Sequence, residues 1–281
     1  MAILQYLLLV LAMSVGMYPK STGIYQGIYI DKFQQIIGDT ARENSLLRWC
    51  MTYQFNALTL YGVRAVLSTP QLRPSLVAFI RRAKTQYHIR QVAAIVEHSA
   101  TVTGLIDSYN NDQSDPLSRF DFTNLELEWW NNASSFEQYT LAMQEMQSWG
   151  NSQRPQVPNE EYIGWFKNPV GEDSIMAAAL VQHSNRILLH DYQKEPSFSY
   201  VLNRLDWIGR AARAQGKVMP VIIIFSPKPE FSYAWFSTHS FGDAYALILD
   251  AFTKTDFPGK TNVQLIGFQL YNQTFARQVK P

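Results

Sequence analysis

Cysteine is almost absent: Cys50 stands alone in 281 residues. One cysteine cannot close an internal disulfide, and no histidine can be assigned to it as a catalytic partner. The stretch Leu46-Leu47-Arg48-Trp49-Cys50-Met51 therefore reads as helix carrying a buried, inert thiol. Charge is sparse too. Charged side chains make up 17% of the chain with a formal net charge of +1, against about a quarter in ordinary globular domains. No run of Lys and Arg is present, which argues against nucleic acid as a partner. A glycine-rich phosphate turn is missing: the first apolar run ends at Ile30 and continues Asp31-Lys32-Phe33. Short-period repeats and low-complexity tracts are lacking as well.

Long apolar runs are confined to the N-terminus. Ile3 to Val15 is almost wholly apolar, the length of a secretory signal core and short for a membrane span. Small residues at Ala12, Ser14 and Gly16 put cleavage after Ser14 or Gly16, although no Lys or Arg precedes the run. The alternative is a buried first strand or helix. The expectation is an export segment over residues 1–16 and one domain over 24–281. That makes a secreted or periplasmic chain, monomeric, with no stable membrane span once the leader is removed.

What is abundant is apolar and aromatic: 47% hydrophobic residues, with 7 Trp, 15 Tyr and 16 Phe. This suffices for one sizeable core, and a surplus of Trp and Tyr near strand ends suits a flat ligand such as a sugar ring. Short apolar runs alternate with helical patterns. Strands are expected at 27–30, 57–61, 92–96, 124–129, 162–166, 186–190, 218–225 and 263–270. Asp31 is expected to cap a helix running to about Tyr53. Further helices are expected over 75–87, from a Ser134 or Ser135 cap to Trp149, over 174–182, over 198–215 closed by Gly216, over 243–255, and in a short last segment. Eight strand–helix units in roughly 255 residues predict a single (β/α)8 barrel. An open doubly wound sheet is the alternative.

In such barrels the chemistry sits at the C-terminal ends of the strands. Those ends offer Asp31, Glu97 with His98, Glu126 and Glu128, Trp165, His190 with Asp191, Ser226 with Glu230, and Tyr271. The fourth strand is the informative one. Asn124, Glu126 and Glu128 recur at period two and so share a face, which is the barrel interior if Leu125 and Leu127 point to the helices. Crowded carboxylates raise each other's pKa, which favours one protonated acid beside one charged base, the division of labour in glycoside hydrolysis. A solvated strand end, or an antiparallel sheet with one wet face, would give the same alternation.

The spacing D-x-x-N-x-E-x-E from Asp121 to Glu128 resembles the D-x-x-D-x-D-x-E signature on the fourth strand of family 18 glycoside hydrolases, the chitinases and endo-N-acetylglucosaminidases. The resemblance implies Glu128 as general acid and Glu126 as the residue that orients the substrate acetamido group, with Asn124 and Asp121 supporting Glu126. It also implies an aromatic after the acid, here Trp129. Leu188-Leu189-His190-Asp191 echoes the family's M-x-Y-D on strand six, with His190 in the Tyr place and Asp191 beside it, and Tyr271 stands loosely for a sugar-stacking Trp on strand eight. Asn124 and Glu126 both replace Asp. Glu126 is one methylene longer, about 1 Å of displacement, and errors of that size cost on the order of 100-fold in rate. The family's S-x-G-G on strand three is missing. The implied protein is a glycosidase acting on an N-acetylglucosamine-containing glycan, without metal or organic cofactor. A carbohydrate-binding barrel without turnover is the alternative, and a retaining glycosidase pairing Glu128 with Glu230 is a third.

Other candidates are weaker. Glu97-His98 and His190-Asp191 lack the convergent spacing of a zinc site, and Ser226 has no G-x-S-x-G elbow. Trp129, Trp130, Trp165 and Trp235 are candidate stacking platforms, Trp235 being the one expected to be exposed. Asn132-Ala133-Ser134 and Asn272-Gln273-Thr274 are glycosylation sequons.

Overall fold

Buried aliphatic runs such as Met219–Phe225 (MPVIIIF) set the architecture, because strands covered on both faces read as continuous apolar segments. The computed structural model describes residues 23–96, 100–131, 134–153, 155–166 and 172–280. The expected export segment, Glu97, His98 and the sequon residue Asn132 lie outside them. Strands β1 (Tyr25–Ile30), β2 (Ala57–Leu60), β3 (Gln91–Val96), β4 (Phe122–Leu125), β5 (Asn159–Ile163), β6 (Arg186–Asp191), β7 (Met219–Phe225) and β8 (Val263–Leu270) form the barrel. Each pairs in parallel with the next and β8 closes on β1, so the (β/α)8 barrel is the fold and the open sheet is excluded. Among the described residues no helix is long and apolar enough to cross a membrane.

The helices are α1 (Thr40–Thr52), α2 (Val63–Leu67), α3 (Arg73–Gln86), α4 (Ala100–Asp112), α5 (Phe136–Ser152), α6 (Glu172–His183), α7 (Phe198–Ala214), α8 (Tyr233–Phe236), α9 (Phe241–Lys254) and α10 (Gln273–Val279). Their starts follow local chemistry. Ser135 and Ser240 each form a capping box, with Gln138 and Asp243 respectively. Asp31 is not the cap expected of it. A short 3-10 turn and Gly38 at φ +88° intervene, and Asp39 caps α1 through Ala41 N and Arg42 N. Asp31 instead accepts from Thr274 N (3.0 Å) and Thr274 Oγ1 (2.6 Å), tying the end of β1 to α10. Strands β4 and β5 begin two and three residues earlier than expected, and β4 ends at Leu125, so Glu126 and Glu128 lie just beyond it. Helices α2 and α4 were not expected.

Residues of alternate parity point inward, and here the interior is polar. Arg186 and Glu160 form an ion pair that is almost wholly buried, and Arg186 also donates to Gln91 Oε1 at 2.7 Å. Asn124 donates to Glu160 Oε1 at 2.8 Å and to the Tyr29 hydroxyl at 3.3 Å. Tyr25 and Thr59 are joined through Gln269. At Gly267 (φ +152°) a bulge shifts the β7–β8 register, and a Cβ there would meet the Tyr25 carbonyl oxygen at 1.9 Å.

Candidate active site at the C-terminal mouth

A cavity of about 550 Å3 opens at the C-terminal mouth, lined by residues at and just past the ends of β4 to β8, including Glu128, Trp130, His190, Lys228 and Tyr271. Its walls are aromatic. The Trp165 ring lies 4.7 Å from Tyr200 and 5.6 Å from His190, Tyr192 lies 4.6 Å from His190 and 5.9 Å from Tyr271, and Trp130 lies 5.4 Å from Tyr162. Trp130 can reach the wall because residue 164 is glycine: a Cβ there would stand 2.5 Å from the indole nitrogen.

Past the end of β4, Glu128 lines this space, and Glu126 is buried close enough to feel the charges of Glu128 and Lys228. The Tyr61 hydroxyl donates to the Glu126 carboxyl. Burial pushes Glu126 up to about 7, Tyr61 offsets part of that, the nearby Glu128 adds to it and Lys228 opposes it. Glu126 thus exchanges a proton near neutrality. Asn131 Nδ2 donates to Glu128 Oε2 at 2.5 Å and fixes its orientation toward the cavity. His190 is 6% exposed. Burial pushes its imidazole down to about 3, Arg204 adds to that and the Gly164 carbonyl offsets a little, so the ring is neutral. Both ring nitrogens are buried, and among the described residues neither makes a well-formed hydrogen bond.

Not every residue expected at the site is brought there. Asp121 precedes β4 at the opposite end of the barrel, where it accepts from Lys84 Nζ (2.9 Å) and Val92 N (2.8 Å). Asn124 is engaged with Glu160 one layer below the cavity. Asp191 has the parity opposite to His190, so its carboxylate accepts from Ser197 N (2.7 Å) at the start of α7 rather than facing the mouth. Burial still pushes Asp191 up to about 7. Trp129 is 3% exposed and packs into the helix layer against Tyr139 (4.3 Å) and Phe136. Trp235 is half-buried, stacked on His239 at 4.2 Å, and does not line the cavity. Glu230 is 58% exposed, outside the cavity, and pairs with Lys228 at 3.9 Å. Trp165 and Tyr271, by contrast, are both in the wall. The Asn272 side chain, within the second sequon, is buried and caps α10 by accepting from Phe275 N. Among the described residues no three His, Cys, Asp or Glu side chains converge as metal ligands.

The sequence reading missed Tyr61, Asn131, Tyr162, Tyr192, Tyr200, Lys228 and Phe231. For Tyr162 the signal was available: it shares inward parity with Glu160 once β5 starts at Asn159.

No family model matches the chain, and no curated protein matches it in sequence. Solved structures share its fold. An alpha-L-arabinofuranosidase from Thermotoga maritima superimposes with a TM-score of 0.56 at 9% identity, covering 90% of this chain and 64% of the other. A GH10 endoxylanase retrieved from a sugarcane soil metagenome gives 0.52 at 12% identity, covering 89% of this chain and 86% of the other. A candidate deoxyribose-phosphate aldolase from Toxoplasma gondii ME49 gives 0.50 at 13% identity, covering 91% of each chain. At such identities the likeness is one of fold, shared by barrels named for hydrolysis and for aldol chemistry alike.

Proposed function

We propose that this barrel is a glycoside hydrolase that takes an N-acetylated glycan into its C-terminal mouth. The observation that carries the reading is Glu128 lining a cavity walled by Trp130, Trp165 and tyrosines, with a second carboxylate of the same strand end, Glu126, buried within reach of its charge. Two of the barrels compared above are glycosidases by name, which supports the reading by analogy of fold alone. In this mechanism Glu128 protonates the glycosidic oxygen as the bond to the anomeric carbon breaks. Ionised Glu126 accepts the acetamido N–H, and the acetamido oxygen attacks the anomeric carbon to give an oxazolinium. Water then opens that ring, with Glu128 taking its proton. The faces of Trp165 and Tyr271 stack on sugar rings, and the neutral His190 both donates to and accepts from the ligand. Export of the chain, supported by the apolar run from Ile3 to Val15, suits an extracellular glycan.

A second reading, glycan binding without turnover, is favoured by one observation. Asp121 and Asn124, the residues that would steady the charge of Glu126, are both engaged elsewhere. Hydrolysis of chitin oligosaccharides, N-glycan oligosaccharides and aryl glycosides by the purified protein, alongside Glu128→Gln, separates the two. Turnover by wild type alone establishes the hydrolase. Glycan binding with no turnover in either protein establishes the binder.

A further inference from the structure

Strand β7 delivers a cation to the mouth where a carboxylate would complete a retaining pair. Lys228 follows β7 and, among the described residues, is the one Lys or Arg lining the cavity. In the circular strand order β7 stands three places from β4, so Lys228 and Glu128 enter the mouth from well-separated sides. The backbone around Lys228 is fixed. Pro227 and Pro229 flank it, and its carbonyl accepts from Phe231 N (2.9 Å) and Tyr233 N (3.3 Å).

The ammonium is poorly matched within the protein. Among the described residues the one carboxylate within 4.0 Å is Glu230, at 3.9 Å and exposed to solvent, where an ion pair contributes little. Glu126 lies beyond ion-pair distance but feels its charge, and the ammonium lies over the Tyr271 ring, 5.0 Å from its centre. Two other basic groups near the wall, His190 and Arg204, supply it no accessible charge. His190 is neutral. Arg204 lies behind the wall, its guanidinium 4.8 Å from the Trp165 ring and 4.7 Å from Tyr200, spending its N–H groups on the carbonyls of Gly164, His190 and Tyr200. A half-buried cation in an aromatic wall gains most from a ligand that brings its own anion.

We infer that Lys228 recognises a carboxylate or sulfate substituent on the bound glycan, so that the mouth selects acidic over neutral sugars. This rests on the glycan reading above. An acidic ring would otherwise be repelled by Glu128 on the other side of the opening, and the cation decides which way round the sugar lies.

The test is a titration of the full-length protein, read by the fluorescence of its tryptophans and by calorimetry. The ligands are a hyaluronan tetrasaccharide, the same tetrasaccharide with its carboxylates reduced to alcohols, a 6-sulfated N-acetylglucosamine oligosaccharide and chitotriose. The acidic ligand is expected to bind wild type at least about 10-fold tighter than its reduced form, with the ratio shrinking as salt rises. Lys228→Met and Lys228→Gln bring the ratio to about one, and Lys228→Arg keeps a preference. A merely structural role for Lys228 would weaken all ligands alike and leave the ratio intact. Whichever of the carboxylated and sulfated ligands binds tighter names the substituent. Equal binding of acidic and reduced tetrasaccharides by wild type, or a ratio that survives Lys228→Met, overturns the inference while the glycan reading stands. Failure of all four ligands to bind overturns both.

Discussion

Strand β4 has a carboxylate before it and two after it, and the two ends of the strand put them to opposite uses. At the N-terminal end Asp121 is held by Lys84 and Val92 N, so its oxygens are spent on the fold. At the C-terminal end Glu126 has the Tyr61 hydroxyl and Glu128 has Asn131, and neither forms an ion pair among the described residues. Burial raises both Asp121 and Glu126, but Asp121 is pulled back by Lys84 whereas Glu126 is left near 7. The same residue chemistry stays ionised where the partner is a cation in contact and is held near neutrality where the partner is a hydroxyl.

That contrast can be broken at four places. The largest effect is expected from Glu128→Gln, which on the hydrolase reading lowers turnover by about 100- to 10,000-fold while the melting temperature stays near that of wild type. Glu160→Ala acts on the layer beneath the site. It leaves Arg186 buried without its carboxylate, and chemical denaturation should register a loss of about 3–5 kcal/mol. Asp121→Asn should cost about 1–2 kcal/mol in the same experiment and leave kcat/KM alone; a fall in kcat/KM matching that of Glu128→Gln would return Asp121 to the catalytic chain. The smallest effect is a shift. Tyr61 holds Glu126 down, so Tyr61→Phe raises it above 7. On the hydrolase reading ionised Glu126 is the working form, so the rising limb of the pH–rate profile moves to higher pH. A limb that stays put would mean Glu126 is not the group it reports.

The barrel was legible in the sequence because strands buried on both faces and capped helices announce themselves locally. Helix α4 escaped because its segment is rich in Thr, Ser, Asn and Gly, weak helix formers. Its apolar residues Val102, Ile106 and Tyr109, all buried, carry the helical spacing that propensity hides. The period-two reading of Asn124, Glu126 and Glu128 located the strand end that feeds the mouth. It could not tell which layer each residue reaches, and Asn124 stops one layer short. Asp121 and Asp191 were grouped with the site by adjacency in the chain, which alternation along a strand does not respect. Lys228 and the tyrosines of the wall come from strands far apart in sequence, and only closure of the barrel assembles them.

The buried layer of Glu160, Arg186, Asn124 and Gln269 has a further consequence. It stoppers the barrel directly under the cavity, so the mouth is a cup and not a tunnel. A polymer cannot be threaded along the axis and paid out at the far side. It must lie across the rim or dip one end into the cup, and whatever goes in leaves by the same opening, which couples the departure of one molecule to the arrival of the next.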